Sequence, residues 1–292
     1  MLITLKNEKL TLTVDTLGAQ MMNLQSHDGV EYLWQGDPAY WADRSPVLFP
    51  FIGRLTNNSH QYQGKVYPMT IHGFAAHSEF TVEAQTGERV VLVLSDTEAT
   101  RKMYPFAFQL TIGYALNGDT VAITYAVTNK DSDRMSFAVG GHPGFRVPLV
   151  DGEAFEDYTI EFSAPCQPDR VGFTPKVFLS GKDESYPLQD GCRLPLRHSL
   201  FDEDAIILKN MARAVTMKSN ISGRGVAVSY PDMPYLGFWH WPKTDAPYVC
   251  IEPWTSLPAR QDIVEDFSCK SDMLQLAPGD SWQTEWTVTL LS

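Results

Sequence analysis

The chain has 292 residues, 43% of them hydrophobic and 12% aromatic, which is enough apolar matter for a large core. Its 35 acidic and 23 basic residues leave a net charge of -12, a field that repels nucleic acid and anionic membrane surfaces. The opening run Met1 to Glu8 alternates and is charged by Lys6, unlike a signal or transit peptide, and no uncharged run approaches the about 20 residues of a membrane span. Cysteines 166, 192, 250 and 269 show no CxxC spacing, the pattern expected of reduced thiols in the cytoplasm.

In chain order, Leu10, Leu12 and Val14 alternate with Thr11 and Thr13, the mark of a half-buried strand. Residues 60–63 and 65–69 around Gly64 read as a hairpin, as do 79–84 and 89–94 around Thr86-Gly87-Glu88. The stretch 96–104 predicts a helix, with Asp96 as N-cap and Glu98 or Ala99 in its first turn. The strongest local signal is Asn117-Gly118, set between the β-rich runs 106–116 and 120–128. It predicts a hairpin whose two central residues both take positive φ. Further strands read at 158–162, 205–210, 213–218, 225–230, 235–240, 247–252 and 282–291, while 163–200, with five prolines, reads as a long excursion of loops. Many short strands without alternating helices predict an all-β antiparallel sandwich, and the lack of a linker or repeat predicts one domain over 1–292.

Three titratable side chains stand among Gly, Pro and aromatic neighbours. Glu252 lies in Tyr-Val-Cys-Ile-Glu-Pro-Trp, where strand alternation puts it on one face with Tyr248 and Cys250. A carboxylate there is paired with a cation, desolvated with a raised pKa, or simply a strand end in solvent. His142 is held extended by Pro143, and His72 precedes Gly73-Phe74; each is either an acid–base group or a structural loop histidine. Arg54 emerges from Phe-Pro-Phe-Ile-Gly, to pair with a carboxylate or fork onto a ligand's oxygens. Trp34, Trp41, Trp239, Trp241 and Trp254 are core residues or platforms for a sugar's C–H face. His72 and His77 lack metal-ligand spacing and no HExxH occurs, so no metal site is expected; phosphate loops and GxSxG are also missing.

Taken in order, several segments carry a resemblance: Tyr-Leu-Trp-Gln-Gly-Asp-Pro-Ala-Tyr-Trp at 32–41, Ser-Pro-Val-Leu-Phe-Pro-Phe-Ile-Gly-Arg-Leu at 45–55 and Tyr-Pro-Met-Thr-Ile-His-Gly-Phe-Ala at 67–75. His-Pro-Gly-Phe at 142–145, Leu-Phe-Asp-Glu-Asp-Ala-Ile-Ile-Leu at 200–208 and Ile-Glu-Pro-Trp at 251–254 complete the set. Together the chain resembles the aldose 1-epimerase (galactose mutarotase) family, in its LacX-like branch. The resemblance implies a single large antiparallel β-sandwich, a small-molecule sugar as partner, and no cofactor or metal. It implies Glu252 as catalytic base, His142 as catalytic acid, His72 and Arg54 as ligands of the sugar oxygens, and Asp204 as a holder of a distal hydroxyl. The chain departs from the family pattern in Phe-Ile-Gly before Arg54, Phe74 after His72-Gly73, and Pro143 after His142. Two other functions fit the same sandwich: a catalytically silent sugar-binding protein, and a hydrolase or lyase in which Asp204 partners Glu252. A phosphorylated sugar would want convergent cations, for which Arg44, Lys65, Arg146 and Arg260 are the candidates.

Overall fold

The computed structural model describes residues 1–292, and nearly all of its regular structure is antiparallel strand. One sheet has nine strands, in the order Arg193–Pro195, Tyr158–Phe162, Ala214–Ser219, Gly225–Ser229, Ser281–Leu291, Thr120–Asn129, Phe108–Asn117, Arg89–Ser95 and Thr81–Gln85. A second has eight: Glu184–Ser185, Asp169–Arg170, Ile206–Lys209, Tyr235–Trp239, Tyr248–Trp254, Gly140–Gly141 and Val47–Leu48 in line, with Gly144–Arg146 also paired to Tyr248–Trp254. A three-stranded sheet of Leu2–Lys6, Leu10–Asp15 and Met21–Ser26 precedes them. This is the sandwich that the strand pattern predicts.

Period-2 patterning explains how the sheets meet. Phe108–Asn117 buries Phe108, Leu110, Ile112, Tyr114 and Leu116 and turns the residues between them toward solvent. Such alternation lets one face go into the core at about 1.5–3 kcal/mol per large apolar side chain. Phe162 of the nine-stranded sheet meets Phe238 of the eight-stranded sheet edge to face, ring centroids 6.3 Å apart. A cluster of 71 buried residues draws on both sheets, so they share one core. Tyr248–Trp254 is buried at every position. Val249 and Ile251 face that core, while Tyr248, Cys250 and Glu252 lie on the opposite surface of the sheet, where the site lies.

The turns refine two expectations. Thr120 pairs with Asn117, so the loop is Gly118-Asp119 rather than Asn117-Gly118. Only Gly118 has positive φ, at 57°, the arrangement in which glycine holds the first central position of a type II′ turn. In the Ser59–Tyr62/Lys65–Pro68 hairpin, Gln63 and Gly64 both have positive φ, at 49° and 73°, as a type I′ turn needs. The helix expected over 96–104 is a single turn, Glu98–Arg101. Its N-cap is Thr97, not Asp96: Thr97 and Thr100 cap each other reciprocally. Asp96 stays in the sheet register, its N–H donating to Phe108 O at 3.2 Å, while its carboxylate pairs with Arg101 at 2.6 Å.

Candidate active site

Strand register brings Glu252 and His142 together. Tyr248–Trp254 pairs on one edge with Tyr235–Trp239, which sets Gly237 opposite Glu252. On its other edge it pairs with two short segments, Gly140 opposite Trp254 and Gly144 opposite Cys250. The same register carried through the break sets His142 across from Glu252, on the same face. Two backbone bonds hold the break: His142 N–H donates to Pro46 O at 3.1 Å, and Ile251 N–H donates to Pro143 O at 3.2 Å. His142 Nε2 and Glu252 Oε2 then lie 3.2 Å apart, with Glu252 1% exposed. Gly237 keeps this row open, since a Cβ there would stand 3.2 Å from Glu252 Cβ and 3.0 Å from Ile207 Cδ1.

An aromatic wall closes one side. The Trp41 indole lies over the His142 ring, centroids 4.9 Å apart and planes tilted 31°. Trp239 stands edge-on to both, 5.5 Å from Trp41 and 5.7 Å from His142. Gly144 permits this packing, because a Cβ at that position would stand 3.1 Å from the Trp41 ring. The resulting cleft holds about 500 Å³ and is lined by Arg54, His72, His142, Asp204 and Glu252 together with Trp41, Trp239 and Trp241. A more open and more polar hollow of about 920 Å³ adjoins it, sharing Phe173, Val177, Asp204 and Pro242.

His72 and Arg54 come from two loops tied to each other. Gly53 N–H donates to His72 Nδ1 at 3.1 Å, and His72 N–H donates back to Gly53 O at 3.1 Å. With Nδ1 accepting, the proton of a neutral His72 sits on Nε2. His72 itself has φ of 64°, and its ring meets His142 edge to face at 5.6 Å. Such left-handed geometry in a non-glycine residue is strained and clusters at functional sites. Arg54 is exposed at the rim. Asp204 is likewise left-handed, φ 83°, with Oδ1 accepting from Ala205 N–H at 2.8 Å.

Burial drives the electrostatics. It pushes the Glu252 carboxyl well up, helped by the Asp204 carboxylate and opposed by the Trp254 indole. It pushes the His142 imidazole well down, with His72 adding to the effect. His72 is held at about 4 by burial and, after that, by the Arg54 charge. Both members of the Glu252–His142 pair are thus driven toward their uncharged forms. Neither Glu252 Oε2 nor the buried His142 Nδ1 has a hydrogen-bond partner.

All five residues singled out from sequence therefore line one cleft. The four cations proposed for a phosphate do not. Arg44 donates to Met22 O and Gln35 Oε1, both at 2.7 Å; Arg260 clasps Glu265; Arg146 reaches Glu31 O at 3.5 Å; and Lys65 stands on a separate hairpin. Sequence reasoning missed Asp43, Phe173, Val177 and Pro258 as lining residues. Phe173 and Val177 belong to the proline-rich excursion, whose stiff composition was the available signal.

An antiparallel sandwich with a carboxyl–imidazole pair on the floor of an aromatic-walled cleft has the form of a small-ligand acid–base site. A family profile described as "Aldose 1-epimerase" matches residues 1–289, and the chain belongs to that family. It is 34% identical over 304 residues to protein LacX (plasmid) of Lactococcus lactis subsp. lactis, covering 100% of both. Among solved structures, a galactose mutarotase related enzyme from Lactobacillus acidophilus aligns with a TM-score of 0.95 at 33% identity, covering 100% of this chain and 98% of that one. A galactose mutarotase-like protein from Lactobacillus casei aligns with a TM-score of 0.93 at 32% identity, covering 100% of each.

Proposed function

We propose that residues 1–292 form one sandwich domain that interconverts the α and β anomers of a free cyclic aldose, as a cytoplasmic isomerase. The observation that carries this reading is the placement of Glu252 and His142, 3.2 Å apart on one face of adjacent segments at the floor of the cleft. Four unpaired cysteines suit a reducing compartment, and no helix is long and apolar enough to cross a membrane.

In the reactive form His142 is protonated and Glu252 is ionised. Glu252 takes the proton of the C1 hydroxyl while His142 gives its proton to the ring oxygen. The C1–O5 bond breaks and a free aldehyde forms. Rotation about C1–C2 presents the other face, and the ring closes with the roles reversed, returning each proton to its donor. The empty cleft disfavours the charged pair; a bound sugar's hydroxyls and the Arg54 guanidinium supply the solvation it lacks. His72 Nε2–H and Arg54 orient the sugar oxygens, and Asp204 accepts from a distal hydroxyl. Trp41 and Trp239 offer faces for the C–H side of the ring. Arg54 is the one Arg or Lys lining the cleft, which favours an unphosphorylated sugar.

Polarimetry and NMR exchange on freshly dissolved aldoses, free and phosphorylated, test the reading. It requires faster equilibration of a free aldose than in buffer. A sugar that binds in the cleft but equilibrates at its spontaneous rate would leave a silent binding protein instead.

A further inference from the structure

We propose that the cleft floor holds an inhibitory site for a zinc-class divalent cation, formed by His142, Cys250 and Glu252. Cys250 has no part in the proton transfers. It precedes Glu252 by two residues on the same face of Tyr248–Trp254 and is fully buried. One donor atom from each of the three residues lies within 4.8 Å of the others. Four-coordinate zinc holds its ligands at about 2.0–2.3 Å, which puts neighbouring donors about 3.3–3.7 Å apart. The His142 Nε2 to Glu252 Oε2 separation of 3.2 Å is already there, and the sulfur, within 4.8 Å of both, has about an ångström to close.

Two observations support ligation here: the three donor atoms already lie together, and one of them is unpartnered. Glu252 Oε2 is buried and without a hydrogen-bond partner, so a donor is free. His142 and Glu252 also line the cleft, so a water or sugar oxygen there would complete a four-ligand shell. Thiolate, imidazole and carboxylate together select Zn²⁺ or Co²⁺ over Mg²⁺ or Ca²⁺, which want oxygen alone. On binding, the thiol gives up its proton to solvent, as does the carboxyl where it carries one. The cation then occupies both lone pairs that proton transfer uses. That it blocks catalysis rests on the proposed epimerase reading; that it binds does not.

The test uses the full chain, freed of metal by chelator. Saturation with Co²⁺ should produce the near-ultraviolet charge-transfer band of a thiolate ligand, and Mg²⁺ should produce nothing. Cys250→Ala should remove the band, although Cys166, Cys192 and Cys269 remain. Zn²⁺ should stop anomer exchange, chelator should restore it, and Cys250→Ala should raise the half-inhibiting Zn²⁺ concentration by about tenfold or more while exchanging anomers without metal. Cys250→Ser is the second variant if the alanine protein does not fold. Absence of the band in the parent, or its persistence in the folded variants, overturns the site. A band in a protein that never exchanges anomers overturns the epimerase reading and leaves the site standing.

Discussion

The Phe108–Asn117/Thr120–Asn129 hairpin and the Tyr248–Trp254 strand belong to the two large sheets and follow opposite rules. The hairpin alternates buried and half-buried residues, and its buried set is mostly apolar. The 248–254 strand is buried throughout yet spends two positions of its outer face on Cys250 and Glu252. A hairpin built that way maximises pairing and burial. A strand that buries a carboxyl without a hydrogen bond to its outer oxygen gives up stability. Local departures of this kind mark where a fold is shaped for chemistry rather than for packing.

The contrast can be broken by changing each region separately. The largest effect is expected at His142: His142→Asn should lower the enzymatic rate of anomer exchange by about 10²- to 10⁴-fold, the loss typical of a general acid. Its stability should fall by no more than about 0.5–1.5 kcal/mol, the ring's packing against Trp41 and Trp239, because the buried Nδ1 makes no hydrogen bond to lose. Unfolding together with loss of activity would mean that His142 is structural. In the hairpin the reverse should hold. Ile123 is fully buried, and Ile123→Ala should cost about 2–5 kcal/mol in denaturant unfolding. Exchange per folded molecule should stay within about twofold of the parent, and a larger loss would tie the far sheet to catalysis.

Smaller effects sharpen the picture. Arg54→Ala should lower kcat/KM by about 10- to 100-fold, the worth of a charge-assisted hydrogen bond. Because Arg54 is exposed, stability should shift by no more than about 0.5 kcal/mol. Unchanged kinetics would remove Arg54 from the site. The smallest effect is a pH slope from His240, just beyond Trp239, held at about 4 by burial, then by His198, with the Trp241 carbonyl and Asp202 opposing. An unfolded histidine titrates near 6.5. As pH falls from about 6.5 to about 4 the unfolded chain binds this proton first, so stability drops across that window and this contribution levels off below it. His240→Gln should make the fall of the urea midpoint between pH 7 and pH 5 shallower by one histidine's share, with buried His72 and His142 carrying slopes of the same sign; parallel slopes would contradict the assignment.

Much of this was legible in the residues. Alternation marks both hairpin strands, and the motif order around Arg54, His72, His142 and Glu252 marks the cleft. What stayed hidden depends on distant pairing. Nothing local reveals that Gly140–Gly141 and Gly144–Arg146 dock on Tyr248–Trp254 in one register, which is what faces His142 with Glu252. The metal-ligand cluster escaped for the same reason: Cys250 and His142 are 108 positions apart, and spacing rules see only neighbours. The Asn117-Gly118 turn was misplaced by one residue because both Asn-Gly and Gly-Asp satisfy hairpin chemistry, and the strand ladder chooses between them.

The central claim is that Glu252 moves a proton at C1. Glu252→Gln keeps the shape and removes the base. Two-dimensional NMR exchange between the α and β signals of D-galactose or D-glucose, whichever the parent equilibrates, reads the rate directly, and the same samples report binding through line broadening. Retained binding with enzymatic exchange reduced by about 10²-fold or more is the result predicted. Exchange by Glu252→Gln at the parent's rate would contradict the account.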